Sequence, residues 1–150
     1  KILPKYIKTF ATNKTELTNA ILNNKNNIKK ITKIVHPLVR KKLNLFLSKN
    51  KTKKLVILDI PLLLENKIKN KDTILVFVDA KKSDILKRLR KRKVFNSKIF
   101  KRLKEIQLPL DYKKKKSQFI IKNDFTKTTV KKYVKDIIKE ILNERNSIRY

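Results

Sequence analysis

The sequence predicts an α/β fold, and three observations carry that expectation. Short, unbroken apolar runs at Leu55–Ile60, Thr73–Val78 and Gln118–Ile121 read as strands. Helical patterns, with apolar residues three and four apart, lie between and after them. Unbroken rather than alternating apolar character suits strands buried on both faces, as in a parallel sheet covered by helices. The chain has 150 residues, the length of one domain able to bury a core, and no internal repeat or linker divides it.

Taken in order, the residues up to Phe10 carry no clear period. From Glu16, Leu17, Ala20 and Ile21 recur at helical spacing. A polar break at Asn23–Asn27 follows, and then Ile28, Ile31, Ile34 and Val35 resume the pattern. A second helical stretch runs through Val39, Leu43, Phe46 and Leu47, with Pro37 suited to its first turn or to a kink. Lys49–Lys54 reads as a charged turn before the first strand. Beyond Asp79, Ile85, Leu86 and Leu89 predict one helix, and Ile99, Leu103 and Ile106 another. The longest regular pattern comes last: Val130, Tyr133, Val134, Ile137, Ile138, Ile141 and Leu142 line one helical face. Thr126, Thr128 and Thr129 precede or open it as N-cap candidates.

Composition excludes several chemistries. The chain contains no Gly, where ordinary usage of about 7% would give about ten. No glycine-rich phosphate loop, dinucleotide fingerprint or nucleophile elbow therefore lies within these residues. No Cys excludes disulfides, thiolate catalysis and zinc ribbons, and one His leaves no His-based metal site. No apolar run reaches about 18 residues, so no span of a membrane is expected, and no secretory pattern opens the chain. The chain has no Met and begins at Lys1, so the expectation is a start inside a longer protein.

The formal charge of +30 suggests a polyanion partner. Yet Lys outnumbers Arg 35 to 7, the lysines spread through every segment, and Lys, Ile and Asn supply 68 residues while Ala falls to 3. Those are the residues AT-rich codons favour and disfavour, so codon drift accounts for much of the charge. The alternative is a basic RNA-binding or ribosome-associated protein, which would need no active site.

Arginine is where the pattern departs from drift. Four of the seven lie in Asp84–Gln107, as Arg88, Arg90, Arg92 and Arg102. A guanidinium fork matches phosphate oxygens in a way an ammonium does not. Four residues apart, Arg88 and Arg92 would share a helical face, either gripping one polyphosphate or forming a solvated basic surface. Ligands of open α/β sheets bind outside the strands' carboxyl ends, where Asp59 and Asp79 are delivered. Asp59 reads as a turn residue before Pro61 or as a Walker-B-like acid, and Asp79 as a helix cap or a site acid. His36, beside Pro37, suits a structural place at a helix start better than catalysis. Glu65, after Pro61-Leu62-Leu63-Leu64, either closes a helical turn or meets a substrate.

These strings, taken together, resemble the dephospho-CoA kinase family over roughly residues 14–142. They are His36-Pro37-Leu38-Val39-Arg40, Val56 through Glu65 with its Pro-Leu-Leu-x-Glu element, and Val76-Phe77-Val78-Asp79-Ala80. Lys87-Arg88-Leu89, Arg92, Gln107, Leu110 through Lys113 and Phe119 through Asn123 continue the order, and Lys14-x-x-Leu17 resembles the family's Arg-x-x-Leu. The resemblance implies a cytoplasmic P-loop kinase, a three-layer parallel sheet with helices on both faces. It would use ATP with Mg2+ to phosphorylate the ribose 3′-hydroxyl of dephospho-CoA. Another nucleoside-monophosphate-type P-loop kinase would share that fold and lid.

Position by position, Arg88 would be the catalytic lid-side arginine and Arg92 a second arginine facing ATP. Arg102, Gln107, Lys113 and Asn123 would complete the ATP and lid side. His36, Pro61, Leu62 and Glu65 would border the coenzyme, and no residue would be a metal ligand. Residues 1–150 would form one kinase domain, with 11–50 a helical substrate-side region and 84–116 the lid-like arginine-bearing helices. The family's glycine loop, the central strand that carries it and its Asp-Ala-Asp are expected upstream, in about sixty to seventy further residues. The chain alone is then expected to be inactive, poorly stable and a feeble binder of ATP. Three departures stand out: Lys93 follows Arg92 where the family has an acid, Arg102 falls one position out of register, and Asp124 or Phe125 replaces a Gly near Asn123.

Overall fold

A computed structural model describes Leu3, Lys5 and residues 13–68, 72–93 and 95–147, the side chains beyond Asn143 excepted. The fold is mixed α/β: six helices and two parallel strands among the described residues. By contacts the chain divides into two units. One contains residues 1–59 and 96–106, the other residues 60–95 and 107–150.

The first unit is helical. α1 (Lys14–Asn23) starts where Asn13 accepts the Thr15 and Glu16 N–H groups on its side-chain oxygen, at 2.9 and 3.3 Å. The polar break interrupts the helix as expected, and α2 (Asn26–Lys49) begins within it. α2 carries both apolar patterns as one helix. His36 and Pro37 therefore lie in its middle rather than at a helix start. Lacking an N–H, Pro37 cannot make the helical bond to the Lys33 carbonyl, and α2 continues past it. Ala20 and Ile28 are buried where α1 meets α2. Buried Asn27 is satisfied there by donating to the Ala20 carbonyl at 2.8 Å. α4 (Ser97–Glu105), capped by the Asn96 side chain, packs against α1.

The second unit holds the sheet. β1 (Val76–Asp79) and β2 (Phe119–Lys122) pair in parallel, with Val76 opposite Phe119 and Asp79 opposite Lys122. Both strands begin later than their apolar runs do. At the boundary the Gln118 side chain accepts the Leu75 N–H at 2.8 Å, while the Leu75 carbonyl accepts the Gln118 N–H. α6 (Lys127–Ser147) packs against β2, burying Ile121 and Ile141. α3 (Lys82–Arg90) and α5 (Leu110–Lys116) complete this unit.

Two strand expectations are corrected. Leu55–Ile60 forms no strand, because no neighbouring chain among the described residues supplies ladder partners to its backbone. Ile57 is accordingly 75% exposed. Nor are the observed strands buried on both faces: Val76 and Val78 are exposed while Phe77 between them is half-buried.

Between Pro61 and Ile68 the chain makes a single helical turn closed by a Schellman pair. The Ile68 N–H donates to the Leu63 carbonyl at 3.0 Å and the Lys67 N–H to the Leu64 carbonyl at 3.1 Å. Lys67 occupies the left-handed position, φ 52°, where glycine is the unstrained residue. Replacing Lys67 with Gly is expected to stabilise the protein by about 0.5–1 kcal/mol, the relieved strain less glycine's extra unfolded freedom. Denaturant unfolding measures it, and a loss of stability would contradict the turn's geometry.

Candidate functional site at the carboxyl edge of the sheet

Parallel strands end side by side, so β1 and β2 deliver Asp79 and Lys122 to one edge, followed by Asn123. The Asn123 N–H donates to the Asp79 carbonyl at 2.7 Å, extending the ladder one residue. The Asn123 side-chain oxygen then accepts the Phe125 N–H at 2.8 Å and turns the chain toward α6. Asp124 closes the turn by accepting the Thr126 N–H at 2.9 Å and the hydroxyls of Thr126 and Thr129, each at 2.8 Å. These bonds stabilise the carboxylate and hold Asp124 below the ordinary aspartate range. Of the three threonines, Thr126 is the one that caps α6, its hydroxyl accepting the Thr129 N–H.

α5 approaches this edge with consecutive lysines. Lys114 donates to Asp79 at 2.8 Å, and the carboxylate beside it raises its affinity for a proton. Lys113 meets Glu65 at 2.6 Å, and Glu65 also accepts the Leu108 N–H at 2.9 Å. The Glu65 side chain is only 11% exposed and that of Lys113 19%. Desolvation pushes the Glu65 carboxyl upward, but the Lys113 and Leu108 donors outweigh it, leaving Glu65 below its ordinary value. The Glu65 side chain thus ties its turn to the start of α5.

Arg88, in the last turn of α3, lays its guanidinium over the Phe125 ring, 4.5 Å from the centroid. Phe125 has φ 64°, a costly conformation for an aromatic residue, on the order of 1–3 kcal/mol. Among the described residues Arg88 has no carboxylate partner, while Asp79, Glu65 and Asp124 are each engaged by other groups. The edge therefore offers a cation whose N–H groups remain available to an anion, with the adjoining acids already neutralised or bonded.

The expected site residues fall into two sets. Arg88, Lys113, Asn123 and Glu65 belong to this edge and its supports. Pro61 and Leu62 lie in the Schellman-capped turn, Leu62 with φ 56°. Arg92 does not share a helical face with Arg88: α3 ends at Arg90, and Arg92 follows in a turn, its N–H bonded to the Leu89 carbonyl. Continuing the helix would set Lys91 and Arg92 four residues beyond Lys87 and Arg88, and like charges at that spacing destabilise a helix. Gln107 is exposed between α4 and α5. His36 on α2, Asp59 in the irregular segment and Arg102, paired with Glu105 at 3.5 Å, belong to the first unit. Sequence reading missed Lys114 and Phe125. A lysine run conceals which member meets an acid, but an aromatic at a turn position beside Asn123 was a usable signal.

Comparison with known proteins identifies the family the chain resembles. The profile of the dephospho-CoA kinase family matches residues 8–129. A dephospho-CoA kinase of Wolbachia pipientis wMel is 33% identical over 140 residues, covering 92% of this chain and 71% of the relative. The enzyme of that name from Bartonella quintana is 28% identical, over 93% of this chain and 72% of its own length. That of Rickettsia conorii is 29% identical, over 94% and 72%.

Proposed function

The chain belongs to the dephospho-CoA kinase family, and on that premise we propose that the protein transfers the ATP γ-phosphoryl group to the ribose 3′-hydroxyl of dephospho-CoA, in the cytoplasm. The family match over four-fifths of the chain is the observation that carries this reading. Phosphoryl transfer passes through a loose state with charge spread over the equatorial oxygens, so positioned cations do most of the work. Arg88, free of carboxylates at the sheet edge, is the residue assigned to that charge. Arg92, Arg102, Gln107 and Lys113 serve the ATP and lid side with Asn123, and Glu65 fixes Lys113 to the turn that carries Pro61 and Leu62. His36 is assigned to the coenzyme side and Asp59 to the Walker-B-like acid.

The assembled fold in this reading is a three-layer parallel sheet, in which a further layer covers exposed Val76 and Val78. ATP carries its Mg2+ largely on its own phosphates. Among the described residues no three His, Cys, Asp or Glu side chains gather as a metal set, and no step is assigned to the ion. Among them, too, no helix is long and apolar enough to cross a membrane. The chain spans about seven-tenths of the length of these relatives and contains no glycine loop. The 150 residues by themselves are accordingly expected to transfer no phosphate and to bind ATP more weakly than micromolar.

An acceptor panel tests the proposal. Protein expressed from its complete reading frame is given ATP with dephospho-CoA, with nucleoside monophosphates, or with structured RNA in a binding assay. Turnover on dephospho-CoA alone is the expected result. Turnover on a nucleoside monophosphate, or tight RNA binding without turnover, would replace the assignment.

A further inference from the structure

We propose that Phe125 is the positioning residue for Arg88, an aromatic platform that aims the guanidinium while leaving its hydrogen-bond donors free; the inference rests on the phosphoryl-transfer reading above. Two observations that need no such reading point the same way. The Arg88 guanidinium sits 4.5 Å from the Phe125 ring centroid. Phe125 holds φ 64° and is still 37% exposed, so an aromatic side chain is kept at a strained position that does not bury it fully. Full burial in a core does not explain that choice. A partner for the ring face does.

The chemistry of the contact matters. A carboxylate partner would occupy the N–H fork of Arg88 edge-on and cancel its charge. The ring contact brings no carboxylate to the fork, so the N–H donors of Arg88 remain for phosphate oxygens. The turn that carries the ring is itself secured. Asn123 accepts the Phe125 N–H, and Asp124 is bonded to Thr126 and Thr129 at the start of α6. Arg88 has the longer side chain with more rotatable bonds, and the ring restricts where its charge rests.

Glycine and tyrosine at 125 separate this role from ordinary packing. In protein expressed from its complete reading frame, Phe125→Gly removes the ring and relieves the strain together. Lost burial and relieved strain offset each other, so Tm is expected to move by only a few degrees while kcat falls about threefold. Phe125→Tyr restores the ring and is expected to restore kcat. In an Arg88→Ala background, Phe125→Gly is expected to change kcat no further. NMR of the Arg88 side chain supplies a readout independent of turnover: a ring-current shift of its δ and ε protons, lost in Phe125→Gly. Unchanged kcat in Phe125→Gly, or the same loss with Arg88 absent, would overturn the proposal. If the wild-type protein turned over no acceptor, the functional reading would fall and the positioning role with it. The ring-current shift would still report whether the stack itself exists.

Discussion

Replacing Arg88 with alanine is expected to lower kcat by about 10²–10³-fold, the usual cost of deleting one donor aimed at transition-state charge. The size follows from its isolation. Among the described residues no carboxylate shares its charge, so the full cation is available to the migrating phosphoryl group. The same isolation predicts little structural damage. Among the described residues it has no ion pair, only the contact with the Phe125 ring, so Tm should move by only a few degrees. Arg88→Lys keeps the charge but loses the planar fork and should recover activity only in part. Steady-state kinetics with ATP and dephospho-CoA measures both variants. A fall in kcat of less than about fivefold for Arg88→Ala would take Arg88 out of the catalytic role.

Removing Glu65 should instead cost stability. Glu65→Ala deletes the bond from Lys113 and the bond from the Leu108 N–H, and leaves the largely covered Lys113 ammonium without its partner. Hydrogen bonds to charged groups contribute about 1.5–3 kcal/mol, so a loss of about 2 kcal/mol is expected, or roughly 4–8 °C in Tm. Glu65→Gln keeps an acceptor for Leu108 and should lose less. The pH dependence has a defined sign. Folding lowers the Glu65 pKa, so the folded state binds fewer protons there than the unfolded state does. Its contribution is complete above the ordinary glutamate value of about 4.3 and is lost as pH falls below it. Wild type and Glu65→Gln should therefore converge in stability on acidification. A stability gap that held constant from neutral pH to pH 3 would show the pair contributes nothing through its charge.

Much of the architecture was legible because apolar spacing is a local signal. The offsets from Val130 to Leu142 mark α6, the break at Asn23–Asn27 separates α1 from α2, and the apolar runs at Thr73–Val78 and Gln118–Ile121 locate the parallel pair. Leu55–Ile60 was misread for a physical reason: a strand is defined by the neighbour that accepts its hydrogen bonds, and no local pattern reports that neighbour. Pro37 left a first turn and a kink both open, and it lies inside α2, since a helix with enough flanking turns tolerates one missing bond. At the candidate site the residue types were visible but not the pairings. The spacing of Arg88 and Arg92 implied a shared face that the end of α3 removes. The contacts of Lys114 with Asp79 and of Arg88 with Phe125 span 35 and 37 positions of sequence, beyond any periodicity.

The central claim is that this edge serves 3′-phosphorylation of dephospho-CoA. It is tested most directly by incubating protein from the complete reading frame with ATP and dephospho-CoA and identifying the products by 31P NMR. The account predicts one new phosphomonoester, on the ribose 3′-oxygen, formed in equal amount with ADP and lost in Arg88→Ala. ADP formed without that phosphomonoester, or a phosphomonoester formed at an undiminished rate by Arg88→Ala, would contradict it.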